Sequence, residues 1–241
     1  MINQSDILFT GGSGLLGTTI KSLLPECDYP TSSEFNVTDF YKMDKYLKLK
    51  KYTLIIHAAA FTSPPLINKD PMKALEVNIL GTANIVKLCM KSNIKLFYIS
   101  TDYVFKGDTG NYKEDDPVNP VNKYAWSKLG GECAVRLYDN SLIIRTSFSP
   151  DVFPYDKAFE DQWTSRECVS VIAKKIYNLI NKNITGIIHI GGKRKTVLDY
   201  ARQLNKNMHI EKLSRDDVNF TVPVDTSLNC EKYKTFFNIR S

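Results

Sequence analysis

Apolar runs alternate with helical patterns along most of the chain. Leu54, Ile55 and Ile56 form a continuous apolar run, which is typical of a strand buried on both faces of a parallel sheet. Because such runs alternate with helical segments, the pattern predicts βαβ units. The predicted strands cover residues 6–10, 27–29, 53–57, 95–100, 141–145 and 186–190, and the predicted helices cover residues 14–24, 39–50, 70–92, 124–137, 164–181 and 196–205.

One of these helices, over residues 70–92, has apolar side chains at three- and four-residue steps. That spacing places them on one face of an α-helix, and we expect this face to be buried. The stripe consists of Leu75, Ile79, Ala83, Val86 and Met90.

Composition and charge restrict the class of protein. The 241 residues are 43% hydrophobic and 24% charged, as in ordinary globular proteins that bury a full core. The net charge of +6 is spread along the chain, so nucleic-acid binding is not predicted. The five cysteines show no CxxC spacing, and we predict no metal site. Without a leader pattern or an apolar stretch of about 18 residues, we expect a cytoplasmic protein with no membrane partner.

A glycine-rich turn follows the first predicted strand and opens the first predicted helix. Glycines at three-residue spacing allow positive φ and let the backbone approach a pyrophosphate, while the helix start supplies N–H donors. In this strand-turn-helix context the pattern predicts a dinucleotide site. The candidate cofactor residues of the turn are Gly11, Ser13, Gly14, Leu15, Leu16 and Gly17.

The residues after the second predicted strand decide between the two nicotinamide cofactors. A carboxylate there would hold a ribose 2′-hydroxyl, and Asp28 is the candidate. Thr31, Ser32 and Ser33 could instead donate hydrogen bonds to a 2′-phosphate. The sequence therefore leaves the cofactor as NADPH or NADH.

A second motif places Tyr124 and Lys128 four residues apart, on one face of a predicted helix. A phenol is a poor acid at neutral pH, and a neighbouring ammonium stabilises the phenolate and lowers its pKa. This spacing therefore favours proton transfer by Tyr124.

These motifs together resemble the extended short-chain dehydrogenase/reductase superfamily. Further matching segments are His57 to Ala60 after the third strand, Asn78 to Thr82 in the following helix, and Ser100 to Phe105 after the fourth strand. Ser100 to Phe105, Glu114 to Pro120 and Asn122 to Glu132 are most similar to the dTDP-4-dehydrorhamnose reductase family. The resemblance implies reduction of the 4-keto group of a nucleotide-linked 6-deoxyhexulose by NADPH or NADH.

The resemblance also implies a role for individual residues. Thr101 would hydrogen-bond the substrate carbonyl, Tyr124 would donate the proton, and Lys128 would hold the nicotinamide ribose. Further cofactor contacts are expected from Asn36, Val37, Ala58, Ala59 and Ala60, and substrate contacts from Thr101, Asp102, Tyr103, Val104 and Phe148. Asn36 and Phe148 stand where the family often has Asp and Trp.

The predicted fold is an α/β, Rossmann-like doubly wound parallel sheet with a small C-terminal substrate-binding lobe. Residues 1–150 would form the NAD(P)-binding domain, and residues 151–241 a smaller substrate-side lobe packed on it, not independent of it. The expected partner is a nucleotide sugar, and a homodimer is a candidate assembly. Two alternatives stay open: a non-catalytic NADP-binding regulatory subunit like that of methionine adenosyltransferase, and another nucleotide-sugar epimerase or reductase of the extended family.

Overall fold

The computed structural model of the chain describes residues 2–218 and 221–239. The strands are β1 (Ile7–Thr10), β2 (Leu54–His57), β3 (Lys95–Thr101), β4 (Ser141–Thr146), β5 (Phe148–Ser149), β6 (Lys157–Phe159), β7 (Trp163–Thr164), β8 (Glu167–Cys168), β9 (Gly186–Ile190), β10 (Lys195–Thr196) and β11 (Glu211–Leu213). The helices are α1 (Leu15–Ile20), α2 (Phe40–Leu47), α3 (Pro64–Lys69), α4 (Met72–Ala74), α5 (Thr82–Ser92), α6 (Lys123–Val135), α7 (Val169–Leu179), α8 (Val197–Leu204) and α9 (Glu231–Phe236). A π-helical segment, Leu75–Gly81, joins α4 to α5, and 3-10 turns form at Gln4–Asp6, Asp102–Val104 and Arg215–Asp217.

The centre of the fold is a parallel five-stranded sheet in the order β1-β2-β3-β4-β9. One face packs against α1 and α7 through residues such as Ile20 and Ile176. The other face is covered by α2, α5 and α6, which contribute Met43, Ile85 and Val135. Helices on both faces of a parallel sheet make a doubly wound, Rossmann-like fold, and the predicted fold class is confirmed.

The strand predicted at residues 27–29 is reduced to one bridge. Asp28 pairs in parallel with Leu8, through bonds from Phe9 N to Asp28 O (2.8 Å) and from Asp28 N to Ile7 O (2.9 Å). The chain then leaves the sheet at Pro30, which has no N–H to continue a ladder. The bridge flanks β1 on the side opposite β2, so the strand order reverses at β1.

The predicted helix over residues 70–92 forms, but its buried stripe is wrong at both ends. Leu75 and Met90 are 45% and 43% exposed, and of the five predicted members only Val86 is fully buried. The reason is the π-helical segment Leu75–Gly81, because bonds to the fifth residue shift the phase of the side chains relative to an α-helix. Asn78 consequently faces the interior.

The helix predicted over residues 164–181 begins later than expected. Thr164 belongs to β7 and residues 167–168 form β8, so α7 starts only at Val169. Thr164 is held by the antiparallel pairing of β7 with β10, a long-range contact that overrides the local helical pattern.

The chain beyond residue 150 contributes to two parts of the fold. Helix α7 and strand β9 complete the central sheet and its first face. Phe153, Ala158, Leu198 and Tyr200 form a separate small core beside β6, β11 and α8. The division into 1–150 and 151–241 stays a prediction about domain organisation. Within the described ranges, no helix is both long enough and apolar enough to cross a membrane.

Candidate active site

A cleft of about 520 Å³ opens at the carboxyl ends of β1 to β4. Ligands of doubly wound sheets bind at this edge, beside the point where the strand order reverses. The predicted site residues that line it are Gly11, Gly14, Leu15, Leu16, Gly17, Ala58, Ala60, Thr101, Asp102, Tyr103, Tyr124, Lys128 and Phe148.

Three glycines shape the cofactor end of the cleft. Gly11 has φ +80°, and a Cβ there would lie 2.7 Å from the Ala59 nitrogen. A Cβ at Gly17 would lie 2.6 Å from the Gly12 Cα, so this glycine permits close packing of α1 on the turn. Gly14 faces the cleft, where a Cβ would meet only the Gly11 oxygen, at 3.3 Å. The turn thus presents bare backbone to the cleft.

Five predicted contacts do not belong to the lining of this cleft. Ser13 and Asn36 are exposed, and the Asn36 Oδ1 accepts bonds from Thr38. Val37 is buried against Gly81. The remaining two are Ala59 and Val104. Ala59 packs against the core between the sheet and helices α2, α5 and α6. Val104 is buried in a cluster with Phe105 and Tyr112.

Asp28, the candidate partner of a ribose 2′-hydroxyl, is engaged elsewhere. Its carboxylate accepts hydrogen bonds from the hydroxyls of Tyr46 (3.0 Å) and Tyr52. Because Asp28 pairs with the middle of β1, its side chain lies short of the carboxyl edge of the sheet. The carboxylate is therefore not available at the cleft.

Lys128 is almost completely buried beneath the cleft. Its Nζ donates to the Ile99 carbonyl (2.8 Å) and lies 4.2 Å from the centre of the Tyr98 ring. Burial lowers the pKa of Lys128 to about 7, and the charge of Glu132 opposes this shift. The ammonium is consequently close to its titration midpoint at neutral pH.

The pKa of Tyr124 shifts in the opposite direction to the one that the Tyr-Lys spacing predicts. Burial raises the pKa of Tyr124, the charge of Asp102 raises it further, and hydrogen bonding with Thr101 opposes both effects. At neutral pH Tyr124 is therefore a protonated phenol, the form that can donate a proton.

Thr101 and Asp102 form a linked pair at the end of β3. The Thr101 hydroxyl donates to Asp102 Oδ1 (3.1 Å) and accepts from the Tyr103 N–H (3.2 Å). Asp102 Oδ2 accepts from the Thr226 hydroxyl at 2.7 Å. Burial raises the pKa of Asp102, and the bond from Thr226 opposes this. A residue near the end of the described chain thus fixes the carboxylate beside Thr101.

A chain of hydrogen bonds supports the site from below. The His57 ring joins the hydroxyls of Thr10 (2.7 Å) and Thr82 (3.1 Å), and the Thr82 hydroxyl donates to the Asn78 carbonyl (2.7 Å). The Asn78 side chain donates to Ser127 on α6. Burial lowers the pKa of His57 to about 3, so the ring is neutral and structural.

The cleft also contains residues that the sequence motifs do not mark. Thr146 ends β4, and its buried hydroxyl has no hydrogen-bond partner among the described residues. Arg166 donates from Nε to the Ser147 hydroxyl (3.4 Å). Burial raises the pKa of both Asp102 and Tyr103, and the charge of Arg166 opposes this rise. Thr146 stands in the segment that leads to Phe148, but no pattern in the sequence assigns either Thr146 or Arg166 to the cleft.

Comparison with known proteins identifies the class and then the family. The sheet and its cleft define the Rossmann-like class of dehydrogenase and reductase folds. The sequence profile described as the RmlD substrate binding domain matches residues 5–153, which is more than half of the chain. The chain belongs to this family.

Individual relatives agree with this assignment. The chain is 30% identical over 199 residues to a dTDP-4-dehydrorhamnose reductase from Aggregatibacter actinomycetemcomitans, over 77% of this chain and 62% of that protein. It is 33% identical over 144 residues to methionine adenosyltransferase 2 subunit beta from Xenopus tropicalis, over 55% of this chain and 43% of that protein. The chain thus spans less than two thirds of either relative.

Two solved structures share the fold. A hypothetical dTDP-4-dehydrorhamnose reductase from Sulfolobus tokodaii superposes with a TM-score of 0.85 and 32% identity, over 95% of this chain and 93% of that chain. A dTDP-4-dehydrorhamnose reductase from Bacillus anthracis, in complex with NADP, gives a TM-score of 0.85 at 22% identity, over 95% and 91% of the two chains. The second likeness concerns the fold alone.

Proposed function

We propose that this chain is an NAD(P)H-dependent nucleotide-sugar 4-ketoreductase. Its substrate would be a dTDP- or UDP-linked 4-keto-6-deoxyhexose. The observation that carries the proposal is that the glycine turn and the side chains of Thr101, Tyr124 and Lys128 line one cleft. The relatives named dTDP-4-dehydrorhamnose reductase support the same reaction.

The cleft fits a dinucleotide. The bare backbone at Gly14 leaves room for a diphosphate, and the turn between β1 and α1 presents N–H groups there. Ala58 and Ala60 would line the ribose, and Lys128 would hold the nicotinamide ribose hydroxyls. The named NADP complex of the Bacillus anthracis relative supports this cofactor class. A reduced nicotinamide supplies the hydride when it is bound.

The chain's own residues would direct the substrate and the proton. Thr101 orients the keto oxygen through a hydrogen bond from its hydroxyl, which otherwise donates to Asp102 Oδ1. Tyr124 gives its proton to the oxygen as negative charge develops on it. The raised pKa of Tyr124 suits this direction, because the phenol is protonated at the start of each turnover. Phe148 offers an apolar surface to the sugar ring.

A direct assay tests the proposal. We would mix the chain with NADPH or NADH and a dTDP- or UDP-linked 4-keto-6-deoxyhexose, and follow the absorbance of the reduced nicotinamide. Consumption of cofactor that depends on the sugar is the expected result. No consumption with either cofactor and either nucleotide would refute the activity.

A regulatory subunit is the second candidate, because the Xenopus tropicalis relative is named as a methionine adenosyltransferase subunit. That function would need a cofactor-binding chain that forms a stable complex with methionine adenosyltransferase and reduces no sugar. Size-exclusion chromatography of the two proteins with NADP separates the candidates. The same method applied to the chain alone tests the homodimer.

The residues after Thr101 bear on which sugar reaction the site performs. In related nucleotide-sugar dehydratases, an Asp-Glu pair follows the matching threonine and expels water from the sugar. Here Asp102 is followed by Tyr103, so that pair is not formed at these positions. We therefore expect simple reduction. NMR in D₂O with the cofactor present should show no deuterium at sugar C3 or C5, and its appearance at either carbon would assign an epimerase.

A further inference from the structure

A buried ion pair lies directly behind the cleft. Glu132 on α6 and Arg145 on β4 are both 0% exposed, with Arg145 Nη2 2.8 Å from Glu132 Oε2. Arg145 Nε donates to Glu132 Oε1 (3.0 Å), and Nη1 donates to the Glu114 carbonyl (3.2 Å). A buried charge pair requires this many bonds to offset the loss of hydration.

Glu132 also connects the two elements that carry the site. The Ser100 hydroxyl donates to Glu132 Oε1 at 2.5 Å. Ser100 directly precedes Thr101 on β3, while Glu132 lies on the same helix as Tyr124 and Lys128. One carboxylate therefore joins the strand that presents the hydroxyl to the helix that presents the phenol.

The charge of Glu132 faces Lys128 as well. The two residues are four positions apart on α6, on one face of the helix. Arg145 on β4 is charged and pairs with Glu132, whereas three further titratable groups around Lys128 are uncharged at neutral pH. Burial lowers the pKa of His57 on β2 to about 3 and raises the pKa of Tyr98 on β3 far above its usual value. Burial likewise keeps Tyr124 protonated.

We propose that Glu132 is a positioning residue of the reductase cleft, which holds α6 against β3 and favours the ammonium form of the Lys128 side chain. The part that concerns catalysis rests on the proposed function. The part that concerns the charge of Lys128 is a property of the folded chain and can be measured without substrate. Arg145 then serves as the counter-ion that makes a buried Glu132 tolerable.

Three variants and a control separate the charge of Glu132 from its contact with β3 and from folding. Glu132→Gln keeps the shape of the side chain and removes its charge, but leaves Arg145 buried without a counter-ion, which can prevent folding. The double variant Glu132→Gln/Arg145→Met removes both charges and replaces the arginine with an apolar side chain. Ser100→Ala removes the bond to β3 and keeps the charge. The control is Glu76→Gln, the same substitution at an exposed position.

The first measurement is an NMR pH titration of the Lys128 ε-methylene, assigned with Lys128→Met. Removing a nearby opposite charge lowers an ammonium pKa, so the midpoint should fall by about one unit or more in Glu132→Gln. It should lie between that value and the unaltered one in the double variant, and stay unchanged in Ser100→Ala and Glu76→Gln. An unchanged midpoint in both folded charge variants would overturn the charge role.

The second measurement is the pH profile of kcat with NADPH. Ser100→Ala should lower kcat roughly tenfold or more, since misplacing a catalytic group is costly, with the midpoint of the profile unmoved. Glu132→Gln should lower kcat and move the midpoint to lower pH. Full turnover in Ser100→Ala would overturn the proposal that Glu132 positions the catalytic residues by holding α6 against β3. If the unaltered chain reduces no sugar, the proposed function fails, while the NMR titration still decides the charge of Lys128.

Discussion

The two ends of the cleft are built in different ways. The cofactor end is built around one short segment, in which Gly11, Gly14 and Gly17 shape the backbone. Beside this segment lies His57 at the end of β2, with both ring nitrogens hydrogen-bonded. The substrate end gathers residues such as Phe148 and Arg166 from segments distant in sequence, in and around the two-residue strands β5 and β8. The cofactor end therefore depends on backbone shape, and the substrate end on individual side chains.

The largest effect is expected where the two ends meet, at Tyr124. Tyr124→Phe removes the proton donor, so turnover should fall by about 10²-fold or more. Cofactor affinity, measured by nicotinamide fluorescence, should change little. Full activity in this variant would move proton donation to another group, with Thr101 the first to test.

Gly14→Val tests whether the cofactor end depends on bare backbone. A Cβ at Gly14 would meet only the Gly11 oxygen, at 3.3 Å, and the rest of the branched side chain would occupy the space of the diphosphate. NAD(P)H at a hundredfold excess over its dissociation constant should stabilise the unaltered chain by about 2.7 kcal/mol. Thermal melts of Gly14→Val should lose that stabilisation, whereas Phe148→Ala at the substrate end should keep it. Equal NAD(P)H-induced stabilisation of Gly14→Val and Phe148→Ala would contradict this difference between the cofactor end and the substrate end.

His57 makes the cofactor end sensitive to acid. Its pKa in the folded chain, about 3, lies below the usual 6.5, so the unfolded chain binds the proton first and stability falls as pH drops from about 6.5 toward 3. Between pH 6.5 and 5 the loss from this ring is about 2 kcal/mol. His57→Gln should flatten the pH dependence of urea unfolding, and His209→Gln, at an exposed position, should not. An identical slope in both variants would contradict the buried neutral ring.

Arg166→Gln probes the substrate end alone. No carboxylate lies within ion-pair distance of Arg166 among the described residues, and the guanidinium lines the cleft. An arginine in this setting suits a diphosphate. The KM for the nucleotide sugar should rise about tenfold, with the NADPH-induced thermal shift unchanged. A lost cofactor shift would place Arg166 at the cofactor end instead.

The sequence predicted the sheet, the glycine turn and the helix of Tyr124 and Lys128 because each leaves a local signal, an apolar run or a fixed spacing of residues. It misassigned the buried face of the helix before Ser92, because the π-helical phase shift at Leu75–Gly81 leaves no mark in apolar periodicity. The availability of Asp28 also depended on distant partners, Tyr46 and Tyr52, which capture its carboxylate. A local sequence pattern does not show hydrogen bonds to residues this far away in the chain.

The substrate end was the hardest part to predict for the same reason. Phe148 could be proposed from the resemblance to the family, but Thr146 reaches the cleft at the end of β4, and Arg166 reaches it beside the pairing of β5 with β8. The Glu132–Arg145 pair likewise joins a helix to a strand whose contact no short motif encodes. Residues that act through tertiary contacts become visible only in the folded chain.

The bond between Thr226 and Asp102 has a consequence for the order in which the protein is made. The two residues are 124 positions apart, and the segment around Thr226 also pairs with Trp163 and with Tyr112. A chain leaving the ribosome forms the central sheet from its earlier segments first. The carboxylate beside Thr101 therefore gains its hydrogen bond from Thr226 late, after the glycine turn, Thr101, Tyr124 and Lys128 have all left the ribosome.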